Sequence, residues 1–370
     1  MKALPFFLLF FSASIAFAQV AFVEKDRAAD FKNSSSVYVM LASEQPRTVE
    51  KLARNAALAE AYRQAVADFN TNLREVFAAQ WTLNAVQFKT RAEMEKLRED
   101  GANPTNTFVI ATGDTDEMLA ETALQKLKKK ADALDFDKFL VNHDEQGSLD
   151  IFALSQWKNY WTPREQWAMQ QEEKMKMDKK LGKMVLPGDY LKHRALEFVG
   201  FFLSQHAVLT RSDLSFGLHY MHTDLTAAST NTRGVQVNQP VLIKGADMSK
   251  KTLLVGRDLV TFPNGKKSLG EKKIIAVYPH PFKIVGQSEI EKALASKSTN
   301  VMVIIPVTRW SATGYPELLM FYVVDAANGR TVLTYADTGS GSNPMTANNF
   351  ERSAELKAKH FQEMMKNGEK

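Results

Sequence analysis

"AEMEKLREDGANPTNTFVIA" (Ala92–Ala111) and "SEIEKALASKSTNVMVII" (Ser288–Ile305) follow one plan. Each opens with Glu-apolar-Glu-Lys, continues as a short helical stretch, and enters an apolar strand through Thr-Asn. The first copy carries a two-residue insertion. Each is preceded by a strand containing Phe-Lys, "QFK" (Gln87–Lys89) in one case and "PFKIV" (Pro281–Val285) in the other. A strand–helix–strand unit that occurs twice predicts an α/β fold, with α+β as the neighbouring possibility, made of two related modules with mixed sheets.

The flanks extend this plan. "VYVML" (Val37–Leu41) reads as a strand. "SEQPRTVEKL" opens a long helix, with Ser43 and Pro46 as entry signals. Leu58, Tyr62, Val66, Phe69, Leu73 and Phe77 recur every three or four residues and form one apolar face of a core helix. "WTLNAVQF" (Trp81–Phe88) reads as a second strand. Thr90 and Glu93 have the spacing of a capping box, and Gly101 and Pro104 end that helix. The segment from Asp114 to Leu134 has acids in its first turn and Lys128–Lys130 late, as a helix dipole prefers. "SLDIFALSQW" (Ser148–Trp157) is a further strand.

In the second half, Asn328-Gly329 sits between alternating β-branched residues, a strong hairpin signal. Pro263-Asn264-Gly265 gives another, between "LVGRDLVTF" and "KKIIAVYP". The C-terminal half therefore reads as hairpin-rich. The expected organisation is a leader at 1–18, a polar lead-in at 19–36, an N-terminal module at 37–156, and an aromatic and charged helical junction at 157–188. A C-terminal module at 189–345 and a terminal helix and tail at 346–370 complete it.

The leader reads as a secretory signal peptide. Met1-Lys2 precedes the apolar run Ala3–Ala18, and Ala16 and Ala18 stand at the −3 and −1 positions of a cleavage site. The mature chain would begin at Gln19. The chain has no cysteine, which excludes disulfides, thiol catalysis and cysteine-bound zinc. An exported chain of 370 residues without disulfides fits a bacterial product, periplasmic or extracellular, that relies on its core. No later apolar run is long enough for a transmembrane segment. The best candidate, Ala195–Leu209, is interrupted by Glu197, Ser204, Gln205 and His206. Net charge is +5, with basic and acidic residues interleaved, so no nucleic-acid footprint is present.

"QWKNYWTPREQW" (Gln156–Trp167) holds three of the five tryptophans. Two readings are open. Trp157, Tyr160, Trp161 and Trp167 form an aromatic binding platform, with Lys158 and Arg164 as donors. Or they form a packing cluster where a strand hands over to a helix, with Thr162 as N-cap and Pro163 at N1. The platform is taken forward as the candidate binding site.

His219, His222 and Asp224 are the candidate metal ligands, since a His-x-x-His pair plus Asp reaches one ion on a helix. The same stretch also reads as a strand, where residues three apart face opposite sides. Asp114–Glu117 is better read as a helix N-terminus than as a cation site. His193 and His206 flank an apolar stretch read as a helix, with structural roles. No Walker, dinucleotide or Gly-x-Ser-x-Gly motif occurs, so no catalytic residue and no cofactor is expected.

Strand, helix, aromatic-bearing strand, "EIEKAL"-type helix, apolar strand and the "VVDAANGRTVL" hairpin resemble the α/β modules of bacterial envelope proteins. These are the amino-terminal domain of the Tol-system protein TolB and the curli-secretion-channel family. The resemblance covers roughly 37–112 and 252–336, and implies binding and assembly rather than catalysis. The expectation is an exported, non-catalytic envelope binding or assembly protein, with another envelope protein as partner and glycan as the second choice. The alternative is a secreted metal-dependent hydrolase of glycan or peptide, using His219, His222 and Asp224.

Overall fold

The computed structural model describes residues 21–23, 25–102, 106–129, 147–162, 199–204, 206–229, 248–260, 269–309 and 318–336, with 358, 361, 362, 364 and 365 of the C-terminal segment. Strand β2 (Ser36–Leu41) lies between parallel neighbours β3 (Val86–Thr90) and β4 (Thr107–Ala111). β5 (Ser148–Ala153), β6 (Gly200–Leu203) and β1 (Ala21–Val23) follow as antiparallel neighbours beyond β4. This makes a six-stranded sheet of order β1-β6-β5-β4-β2-β3.

The second sheet repeats the plan. β7 (Thr252–Gly256) lies between parallel β8 (Phe282–Val285) and β9 (Val301–Arg309). Beyond β9 come antiparallel β10 (Leu318–Asp325) and β11 (Thr331–Ala336), in the order β11-β10-β9-β7-β8. The register repeats as well. Val37 pairs with both Val86 and Phe108, and Leu253 pairs with both Phe282 and Met302. The path from Val86 to Phe108 is two residues longer than that from Phe282 to Met302, which is the insertion that the sequence alignment requires. The fold is α/β, with two similar modules.

The helices are α1 (Lys25–Lys32), α2 (Pro46–Leu52), α3 (Ala56–Gln80), α4 (Arg91–Glu99), α5 (Thr115–Lys128), α6 (Trp157–Tyr160), α7 (Arg211–Ser229), α8 (Glu271–Ile275) and α9 (Gln287–Ala295). The first sheet is covered on both faces, which is why β2 and β4 read as unbroken apolar runs. Val37, Val39, Leu41, Phe108 and Ile110 face the largest core, with Tyr62, Val66, Phe69 and Leu73 of α3 and Leu119 of α5. Tyr38, Met40, Val109 and Ala111 face a smaller one, with Met94 of α4 and Trp157 and Tyr160 of α6.

The largest core continues into the second sheet through Leu254, Val303, Ile305 and Tyr322, with Ile290 and Ala293 of α9. Helix α7 joins the two sides: it packs on α1, α3, β6 and α9, and its Phe216 ring lies 5.2 Å from that of Tyr322. The opposite face of the second sheet closes on Ile274, Tyr278, Phe361 and Met364.

Several expectations are corrected. The polar lead-in carries β1 and α1, and Ala28 and Phe31 of α1 are core residues. The long helix is broken: Asn55 accepts the Leu58 N–H and caps α3 as a separate element. Trp81 is the C-cap of α3, and the second strand begins only at Val86. "KKIIAVYP" contains helix α8, so no hairpin joins it to β7. The stretch before His206 is strand β6, not a helix. The Asn328-Gly329 turn, with Gly329 at φ +72°, and the Thr90–Glu93 capping box form as expected. Most of the 157–188 junction lies outside the described residues. Among the described residues no helix is long and apolar enough to cross a membrane.

Candidate functional site

The aromatic stretch begins inside the protein. Trp157 is 1% exposed, and its indole N–H donates to Glu95 Oε1 at 2.6 Å. The Tyr160 ring stacks on Phe152, with centroids 4.2 Å apart, and its hydroxyl donates to Asp150 Oδ2 at 2.8 Å. Burial, with the Asp150 charge beside it, pushes the Tyr160 hydroxyl well above the usual tyrosine range. The expected four-residue platform is therefore corrected. Trp157 and Tyr160 belong to the core, because the chain leaves β5 in a helical turn that folds them back over the sheet. Trp167 lies outside the described residues. Trp161 is the one half-buried member, and the Arg91 guanidinium lies over its ring, 3.8 Å from the centroid.

This pair stands at a distinctive place in the topology. After β2 the chain turns to the face covered by α3, while after β3 it turns to the opposite face, covered by α4. Where neighbouring parallel strands send their connections to opposite faces, the carboxyl ends of the strands leave a crevice, the usual ligand position in such sheets. Ser43 follows β2, Arg91 follows β3, and the first turn of α5 follows β4. Asp116 Oδ1 accepts the Ser43 N–H at 3.0 Å, and Arg91 approaches Glu117 at 3.7 Å.

Burial raises the Asp116 carboxyl to about 6, with the Glu117 charge adding and the Ser43 hydrogen bond opposing. Burial also raises Glu117, with Asp114 adding to it. The rim thus combines a guanidinium-capped aromatic ring with carboxylates, a set suited to recognising polar groups. Sequence reasoning found the acids as a helix start. It missed Arg91, whose only local signal is its place after the capping Thr90.

The candidate metal ligands do not converge. All three lie on α7, and Asp224 stands two residues beyond His222, roughly 200° around the helix. His222 Nε2 lies 2.9 Å from Thr82 Oγ1, and its ring meets Trp81 edge-on. Burial lowers both histidines and raises buried Asp224 to about 7. Among the described residues no group of three or more His, Asp or Glu is placed to hold a metal ion.

A further polar cluster, missed as such in the sequence, lies where α7 begins. Asp213 is fully buried. Its Oδ2 lies 2.7 Å from His206 Nδ1 and accepts from the Thr210 N–H and hydroxyl, both at 2.8 Å. Ser204 Oγ also approaches His206 Nδ1, at 3.4 Å. Serine and aspartate thus address the same ring nitrogen. A hydrolytic triad needs them on opposite nitrogens, so this cluster is not one. Its partners lie across the seam between modules: Gln287 of α9 donates to Ser212 Oγ at 2.6 Å, and Glu291 Oε1 accepts the Arg211 N–H at 3.2 Å. Comparison with protein-family models, curated proteins and solved structures finds no match to this chain.

Proposed function

We propose that this chain is an exported, non-catalytic binding or assembly protein of a bacterial envelope that recognises another envelope component, in first place a protein. The observation that carries the reading is the half-buried Trp161 under the Arg91 guanidinium, bordered by Asp116 and Glu117 at the switch point of the first sheet. An aromatic ring and a guanidinium are the side chains that most often anchor protein interfaces. The leader Met1–Ala18 supports export, and the resemblance to envelope assembly modules supports the partner class.

The test is capture from envelope extract by the mature chain from Gln19, beside Arg91→Ala/Trp161→Ala and beside Trp157→Phe. A single protein captured by the parent and by Trp157→Phe, and lost from the double variant, is the expected result. Capture of glycan in the same pattern moves the partner to glycan. Equal capture by all three forms removes this rim from the binding surface.

A further inference from the structure

We propose that β3 is an open sheet edge that takes an extended, carboxylate-bearing segment of the partner protein as an added strand. The inference rests on the reading that the partner is a protein, and gives its binding mode beside the Arg91–Trp161 rim.

Among the described residues β3 ends the first sheet and pairs with β2 alone. One row of its backbone N–H and C=O groups therefore faces outwards, a template for another strand. Folded proteins guard such edges with short strands, bulges or prolines. The three other sheet edges here carry one guard each. β1 is three residues long. The β10–β11 ladder shifts register between Val323 and Val324. Exposed Pro279 and Pro281 precede β8. β3 has none of these. It runs for five residues in regular register with β2, and no proline occurs from Trp81 to Arg91. The contrast with β8 is the sharper because the two strands hold the same place in the repeat, with "QFK" in one and "PFK" in the other.

The guard that β3 does carry is charge. Phe88 meets Phe77 of α3 edge-on, with ring centroids 6.1 Å apart. The exposed Arg74 lies over Phe88, 4.6 Å from its centroid. Alternation along the strand puts Lys89 on the opposite face, so a cation flanks the edge on each side. The nearby Glu93 carboxylate is committed to the capping box: it accepts the Thr90 N–H at 2.7 Å and the Thr90 hydroxyl at 2.9 Å. Asp116 and Glu117 lie past the end of the strand, engaged by Ser43 and Arg91.

Such charge selects rather than blocks. A second copy paired antiparallel along this edge would set its Arg74 and Lys89 beside their own counterparts, and like charges on neighbouring strands are destabilising. An alternating segment with Asp or Glu facing these two cations is attracted instead. Main-chain hydrogen bonds supply its affinity, as in other strand additions.

The test titrates the mature chain from Gln19 with an alternating Val-Glu octapeptide. An alternating Val-Lys octapeptide and an N-methylated Val-Glu octapeptide, which lacks main-chain donors, run beside it. Saturable binding of the Val-Glu peptide is expected, with exchange of amides within Val86–Thr90 slowed several-fold. The other two peptides are expected to do neither. Arg74→Glu/Lys89→Glu, with its fold checked by far-UV circular dichroism, should prefer the Val-Lys peptide. Absent binding of the Val-Glu peptide, binding that leaves the β3 amides unchanged, or binding that survives N-methylation overturns the proposal. So do β3 amides protected in the free chain together with a dimer in sedimentation, which give the edge to a second copy. Envelope capture separates the two readings. A protein captured equally by the parent and by Arg74→Glu/Lys89→Glu, and lost from Arg91→Ala/Trp161→Ala, keeps the rim and removes the edge. A parent that captures no protein, yet binds the Val-Glu peptide at β3, sinks the envelope reading while the edge stands.

Discussion

Trp157→Ala tests whether the tryptophan-rich stretch is architecture. Trp157 is 1% exposed and sits among Met94, Phe152 and Tyr160 in the smaller core of the first module. Truncating a buried aromatic to alanine costs about 3–5 kcal/mol. The indole N–H also donates to Glu95. A hydrogen bond to a charged acceptor contributes about 1.5–3 kcal/mol when buried. Glu95 is 39% exposed, so about 1 kcal/mol is the reasonable share here.

The expected loss for Trp157→Ala is about 4–6 kcal/mol in all, a large part of the stability of an ordinary domain. Trp157→Phe keeps most of the ring volume and loses the hydrogen bond, for about 1–2 kcal/mol. Urea unfolding followed by far-UV circular dichroism measures both, since removing a tryptophan alters fluorescence by itself. A Trp157→Ala protein within about 1 kcal/mol of the parent, with partner capture abolished, would refute the packing argument and restore Trp157 as a contact residue.

Two further outcomes follow from the same geometry. Asp116 has a folded value of about 6 against an ordinary 3.8. Its ionisation therefore works against folding above that value, and stability rises as pH falls through about 6. Asp116→Asn should stabilise the protein at neutral pH, by at most about 3 kcal/mol, and flatten the pH dependence of its melting temperature between pH 4 and 6. Unchanged stability at neutral pH would mean that the carboxylate is better solvated than its burial indicates. Gly217 of α7 lies so close to β6 that a Cβ there would stand 2.6 Å from the Phe202 ring. Gly217→Ala should cost about 1–3 kcal/mol through overpacking, despite the better helix propensity of alanine. A neutral or stabilising result in thermal unfolding would show that the α7–β6 contact yields.

The repeat was legible because it lives in local pattern. "EMEKL" and "EIEKAL" fix two short helices, Thr-Asn marks two strand entries, and the register of both sheets agrees with the alignment. The capping box at Thr90 and the turn at Asn328-Gly329 were equally local. Periodicity failed where burial overrode it. "KKIIAVYP" is apolar enough for a strand, yet it forms a helical turn that sends Ile274 and Tyr278 into the second core. Phe31 looks like one apolar residue in a polar stretch, but α1 docks it on the main core, against Trp81 and Phe108.

By itself the sequence determined the α/β class, the duplicated strand–helix–strand plan and the absence of cysteine chemistry. These depend on composition and on spacings within a few residues. Only the tertiary structure decided that Trp157 is core while Trp161 meets Arg91, and that His222 and Asp224 point apart. Each of these depends on groups brought together from distant parts of the chain. Burial and neighbouring charge set the energy of such groups, and local periodicity records neither.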